Sequence, residues 1–237
     1  MRTGLQKVRV RILETNGSGA QDLDAALAIL SEGELERFRN YHFARDRKDY
    51  ALAHALLRRT LSDFAPETER GAWQFETRAS GKPGVIARPD LDFSLTHTRG
   101  LVACAVADTG LVGIDAETDE RPLDMEPLFR EVCSPGERQE LATLTGLART
   151  SRFFDFWTLK EAYLKARGVG ITGDLSLTGF TIADDGNIRL EAARGQPGPD
   201  ATFCIYRCSG PARVALATLG ITGLHDIEVT KAAKWNA

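Results

Sequence analysis

The chain has no apolar run near the roughly 20 residues that a membrane-spanning helix needs. Its start, MRTGLQKVRVRIL, alternates charged and apolar residues where a secretory signal would build an apolar core. These absences point to the cytoplasm and away from the membrane. Cysteine is scarce: Cys104, Cys133, Cys204 and Cys208 include no C-x-x-C pair, which argues against both a zinc site and a disulfide framework. Neither sign of charge dominates, since 30 Lys and Arg face 33 Asp and Glu for a formal charge of −3. That balance gives no general attraction for nucleic acid, so any polyanion must be met by a local cluster of bases. What remains is ordinary for a folded protein. With 43% hydrophobic and 27% charged residues over 237 positions, the chain can bury a sizeable core in one large domain or two small ones.

Helix signals come first. They cover residues 22–30, then the capping-box pattern Ser31-Glu32-Gly33-Glu34, then residues 45–62, which contain neither Gly nor Pro. On this last helix Arg47, His54 and Arg58 fall within roughly 40° of one another, opposite Leu52, Ala53, Leu56 and Leu57. The spacing predicts an apolar face turned inward and a basic stripe turned outward. The period then changes, and residues 93–95, 101–107 and 111–117 read as strands, the last two joined in a hairpin through Asp108-Thr109-Gly110. Ser134-Pro135-Gly136-Glu137 opens a helix to about residue 147, and a further helix spans about 152–167. Strands at 180–183, 188–191, 203–207 and 214–219 follow, with 195–199 as a surface loop. Helices first and antiparallel strands afterwards, twice over, predict an α+β fold of two similar halves, although no residue-by-residue repeat connects them.

Two clusters carry chemistry. Alternation along 111–117 turns Gly113, Asp115 and Glu117 to one face, setting two carboxylates about 7 Å apart along the strand. Such a pair is either a hydrated edge or a site for a cation that prefers oxygen ligands. The second cluster runs from Phe153 to Lys165, where Glu161 and Lys165, four apart, are neighbours on one helix face. The plain alternative is a helix salt bridge, but the density of aromatic residues implies a buried helix on which idle charge is expensive.

Gly113-Ile114-Asp115-Ala116-Glu117 followed by Trp157-Thr158-Leu159-Lys160-Glu161-Ala162-Tyr163-Leu164-Lys165 resembles the paired signature of 4′-phosphopantetheinyl transferases. Arg37, Phe43-Ala44-Arg45-Asp46, Gly81-Lys82-Pro83 and Phe93-Ser94-Leu95-Thr96-His97 extend the likeness over most of the chain. The length is similar to that of the surfactin-synthetase-activator type, which joins two units in one chain where the shorter members assemble as trimers. The resemblance implies two pseudo-symmetric α+β halves, 1–111 and 112–237, each with helices on a small antiparallel sheet, in a monomer with its active site in the cleft between them. It implies transfer of phosphopantetheine from coenzyme A to a serine of an apo acyl or peptidyl carrier protein, releasing adenosine 3′,5′-bisphosphate. Mg²⁺, or Mn²⁺ in its place, would be held by Asp115, Glu117 and Glu161. Lys165 is expected at the pyrophosphate, and Glu161 is also a candidate base. Arg37 and His97 are expected at phosphate groups, with Thr77, Arg78, Lys82, Ser94 and Thr96 around the nucleotide. Thr96 stands where Ser is usual, and Glu34 where some relatives carry a second base. The other readings are a metal-dependent phosphohydrolase and a non-catalytic module that binds coenzyme A or a carrier protein.

Overall fold

Alternation starts the first strand, because Val8, Val10 and Ile12 bury one side of β1 (Val8–Glu14) while Arg9 and Arg11 take the other. The computed structural model describes residues 8–119, 125–170, 175–191, 200–221 and 227–232, so the loop expected at 195–199 lies outside the described residues. Three helices follow β1: α1 (Ala20–Leu27), α2 (Glu32–Asn40) and the long α3 (Ala44–Ser62). A short hairpin of β2 (Phe75–Thr77) and β3 (Pro83–Val85) leads into β4 (Asp92–Thr98) and β5 (Leu101–Ala107).

The second half repeats this order. β6 (Leu111–Thr118) is followed by α4 (Met125–Val132), α5 (Pro135–Thr143) and the long α6 (Gly146–Arg167). The hairpin of β7 (Gly179–Ile182) and β8 (Ile188–Glu191) then leads into β9 (Ala201–Arg207) and β10 (Ala212–Leu219). β1-β5-β4 in one sheet is matched by β6-β10-β9 in the other, all antiparallel. A last strand, β11 (Ile227–Ala232), crosses to the first sheet and lies parallel to β1, Val10 opposite Val229.

Three apolar layers hold this α+β architecture together. α3 packs Leu52 and Leu57 on the outer face of the first sheet, against Val102, Cys104 and Val106. α6 packs Phe153, Phe156 and Leu159 against Phe203, Ala215 and Ala217 of the second. Between the sheets, Val10, Ile12, Ala103 and Ala105 meet Val112, Ile114, Val214 and Leu216. Every one of these side chains is less than a tenth exposed.

Three expectations change here. β5 and β6 do not form a hairpin: β5 pairs with β1 and β4, and β6 pairs with β10, so Asp108-Thr109-Gly110 is the turn between sheets. Gly110 does take the positive φ of 70° that such a sharp turn asks for. The reason is burial on both sides, since the inward residues of β5 and β6 stack face to face in the middle layer. α5 stops at Thr143, and Thr145 with extended backbone starts α6 at Gly146, about two turns before the aromatic run. The basic stripe of α3 is only partly a surface feature, because Arg58 is fully buried while Arg47 and His54 are half-buried.

β4 and β6 run side by side without a backbone ladder. Asp92, Ser94 and Thr96, every second residue of β4, supply the missing acceptors: Val112 N donates to Asp92 Oδ2 (2.8 Å), Ile114 N to Ser94 Oγ (3.1 Å) and Ala116 N to Thr96 Oγ1 (3.2 Å). This side-chain ladder joins the two sheets and sets the register of everything in the cleft.

Candidate active site

Gly113 allows β6 to touch α6. A Cβ built there would lie 1.9 Å from Ala162 O and 2.4 Å from Ala166 N, contacts that no other residue could accept. The close approach carries Asp115 and Glu117 beneath Glu161 and Lys165, and all three acids are buried, at 6%, 8% and 7% exposure. The hydrated-edge alternative for β6 is thereby excluded.

The helix salt bridge is replaced by a bond across to the sheet. Lys165 Nζ lies 2.6 Å from Asp115 Oδ1, and Thr96 donates to the same oxygen at 3.2 Å. Asp115 Oδ2 and Glu161 Oε1 are buried and make no hydrogen bond. Burial raises the Asp115 carboxyl, against the pull of Lys165, Thr96 and the Ala116 amide. Glu161 is pushed up to about 7 by burial and by the charge of Asp115, with Lys165 opposing and Glu117 adding. Among the described residues, no three or more His, Cys, Asp or Glu side chains are gathered into a formed metal centre. The donor set nevertheless fits a hard divalent cation: it is all carboxylate oxygen, shielded from water, with two buried oxygens lacking a partner.

One cavity opens at this corner and a second adjoins it. One, of about 460 Å³, is lined by Lys82, Ser94, Lys165 and Gly168. The other, of about 520 Å³, is lined by Glu34, Arg37, His54 and Arg58, and both share Pro83, Phe93 and Leu95 as walls. The volumes are of the size that takes a small-molecule ligand.

The structure brings Ser94, Thr96, Asp115, Glu117, Glu161 and Lys165 together at the β4–β6–α6 corner, with Arg37 at the far cavity. His97 alternates onto the other face of β4, with Phe93 and Leu95, toward α3. Its ring keeps contact with solvent yet is pushed below its ordinary value by the protein around it, with Asp49 opposing and Lys165 adding. Two predicted cations are already committed elsewhere. Lys82 Nζ is buried against Asp92, Val112 O (2.8 Å) and Ala166 O (3.4 Å), and Arg78 donates to Asp92 Oδ1 (3.0 Å) and Leu91 O (2.9 Å). Thr77 is exposed on β2. Sequence reasoning missed Asp92, although Asp92, Ser94 and Thr96 at alternate positions carried the signal of one polar strand face. It also missed that Glu34 is bonded to Arg58 (2.7 Å) and His54 (2.9 Å).

The chain is similar to proteins of one family. A family model described as the 4′-phosphopantetheinyl transferase superfamily matches residues 111–218, which include β6 and α6. The 4′-phosphopantetheinyl transferase HetI of Nostoc is 35% identical over 162 residues, 67% of this chain and 67% of that protein. A 4′-phosphopantetheinyl transferase of Bacillus subtilis is 27% identical over 176 residues, 74% of this chain and 77% of its own. Among solved structures, a holo-(acyl-carrier-protein) synthase from Bacillus anthracis superposes with a TM-score of 0.41 at 23% identity, over 46% of this chain and 94% of that one. With both acidic motifs inside the matched length and the acids converging on one buried corner, the chain belongs to the 4′-phosphopantetheinyl transferase superfamily.

Proposed function

We propose that this protein transfers 4′-phosphopantetheine from coenzyme A to the serine of an apo acyl or peptidyl carrier protein, releasing adenosine 3′,5′-bisphosphate. The observation that carries the reading is the pair of buried, unbonded oxygens, Asp115 Oδ2 and Glu161 Oε1, beside Lys165 at the mouth of a ligand-sized cavity. Asp115, Glu117 and Glu161 would hold Mg²⁺, or Mn²⁺, which when bound neutralises charge that builds on the pyrophosphate. Lys165 binds a pyrophosphate oxygen, supplying a fixed positive charge where negative charge develops. The serine oxygen forms a bond to the phosphorus that bears pantetheine, the bond from that phosphorus to the nucleotide phosphate breaks, and the serine proton must leave. Glu161, buried beside the cavity, would take that proton if it is not itself a ligand of the cation, because direct coordination lowers the basicity of a carboxylate. Arg37 and His97 contact phosphate groups, and Thr77, Arg78, Lys82, Ser94 and Thr96 shape the nucleotide loops, either by contact or, for Arg78 and Lys82, by fixing Asp92. In this reading the halves 1–111 and 112–237 form one cytoplasmic monomer with the cleft between them.

The test is the intact mass of an apo carrier protein after incubation with coenzyme A, Mg²⁺ and this protein. A gain of one phosphopantetheine on serine is expected. Lys165→Ala and Glu161→Gln should each reduce it by roughly 100-fold or more, the scale of losing a transition-state donor. Free phosphopantetheine with no change in carrier mass would select a phosphohydrolase instead.

A further inference from the structure

The ion pair between Lys165 and Asp115 has a meaning beyond catalysis. We propose that Lys165 is a resident counter-cation of the acidic corner, which a divalent ion must displace from Asp115 and which a pyrophosphate draws away. The inference rests on the metal-site reading above.

Asp115 and Glu161, each less than a tenth exposed, both feel the Lys165 ammonium there. The electrostatics of a buried acid demand a positive neighbour, and Lys165 meets that demand for Asp115 Oδ1 at 2.6 Å while leaving Asp115 Oδ2 and Glu161 Oε1 unbonded. The lysine also faces the cavity. Its side chain is 33% exposed, against 9% for Asp115, and it lines the 460 Å³ cavity as well as the acid cluster. A flexible four-carbon stem with a compact charge can exchange one oxygen partner for another at little cost. Lysine and a divalent cation repel each other and share Asp115, so each weakens the other. A pyrophosphate in the cavity gives the ammonium a second anion and leaves Asp115 to the metal. Metal and nucleotide then bind with positive coupling, and that coupling is necessarily reciprocal.

The experiment measures Mn²⁺ binding to the nucleotide-free protein by the electron-paramagnetic-resonance signal of unbound Mn²⁺. Lys165→Met and Lys165→Gln are compared with the wild type and repeated in an Asp115→Asn background; two replacements guard against one that fails to fold. Roughly tenfold tighter binding is expected for the Lys165 variants, a coupling of ordinary size. That gain should vanish with Asp115→Asn. Unchanged or weaker binding in the Lys165 variants, while Asp115→Asn still abolishes wild-type binding, would overturn the counter-cation and leave the metal site standing. Absence of any Mn²⁺ binding sensitive to Asp115 would overturn both.

Discussion

Glu34 shows how one side chain can serve local and long-range structure together. Ser31 and Glu34 close a capping box on α2, the Ser31 amide donating to Glu34 Oε2 at 2.8 Å, as the Ser-x-x-Glu pattern predicts. The same carboxylate neutralises the fully buried Arg58, whose other donors reach Arg70 O and Trp73 O. Burial alone would raise the carboxyl, but bonds from His54, the Ser31 amide and Arg58 hold it down at about 2. The unfolded group titrates at 4.5, so the stabilisation is complete above 4.5 and is lost as pH falls from there toward 2. A shift of that size is worth roughly 3 kcal/mol. Glu34→Gln should therefore lower stability at pH 7 by about that amount and flatten its fall between pH 4.5 and 2, as read from urea unfolding at several pH values. The second half has the same device. Ser134 and Glu137 cap α5, and Glu137 pairs at 2.7 Å with the buried Lys160, which donates to Val132 O and Leu175 O. Both caps were legible in the sequence. Their buried partners were not, because Arg58 and Lys160 lie far along the chain and a base on a helix reads as surface until its partner is known.

At the scale of elements, the distance between β6 and α6 decides whether the acids meet. Gly113→Ala should separate them, since the contact is backbone on backbone and neither side can yield; overpacking of this kind costs about 1–3 kcal/mol or more. Gly33 in α2 is the contrast, with nothing within 4 Å of an added Cβ, so Gly33→Ala should stabilise by up to about 1 kcal/mol. The midpoints of chemical unfolding of the two variants should move in opposite directions, and only Gly113→Ala should weaken Mn²⁺ binding. The face shared by Gly113, Asp115 and Glu117 followed from strand alternation, and α6 from its uninterrupted run. β2 and β3 were invisible for a physical reason: three residues contain no period to read. The β5–β6 hairpin was misread because a tight glycine turn looks the same whether the strands it joins pair by their edges or stack by their faces.

Across the whole molecule, the matched orders β1-β5-β4 and β6-β10-β9 make the duplication plain where the residues alone do not. The halves are joined at the seam where Asp92 accepts from Val112 N and pairs with Lys82 and Arg78. Asp92→Ala would leave the ammonium of Lys82 buried without its carboxylate, at an expected cost of about 3–5 kcal/mol. Adding Lys82→Met should recover much of that loss, giving a clear interaction energy in a double-mutant cycle of unfolding measurements. The parallel pairing of β11 with β1 bears on how the protein is made. On the ribosome, β1 can find β5 while the second half is still being translated, but its other edge must wait for a strand encoded far downstream. Until then it presents an open row of amides and carbonyls to any neighbouring chain, which makes the nascent protein, more than the finished one, the species exposed to aggregation.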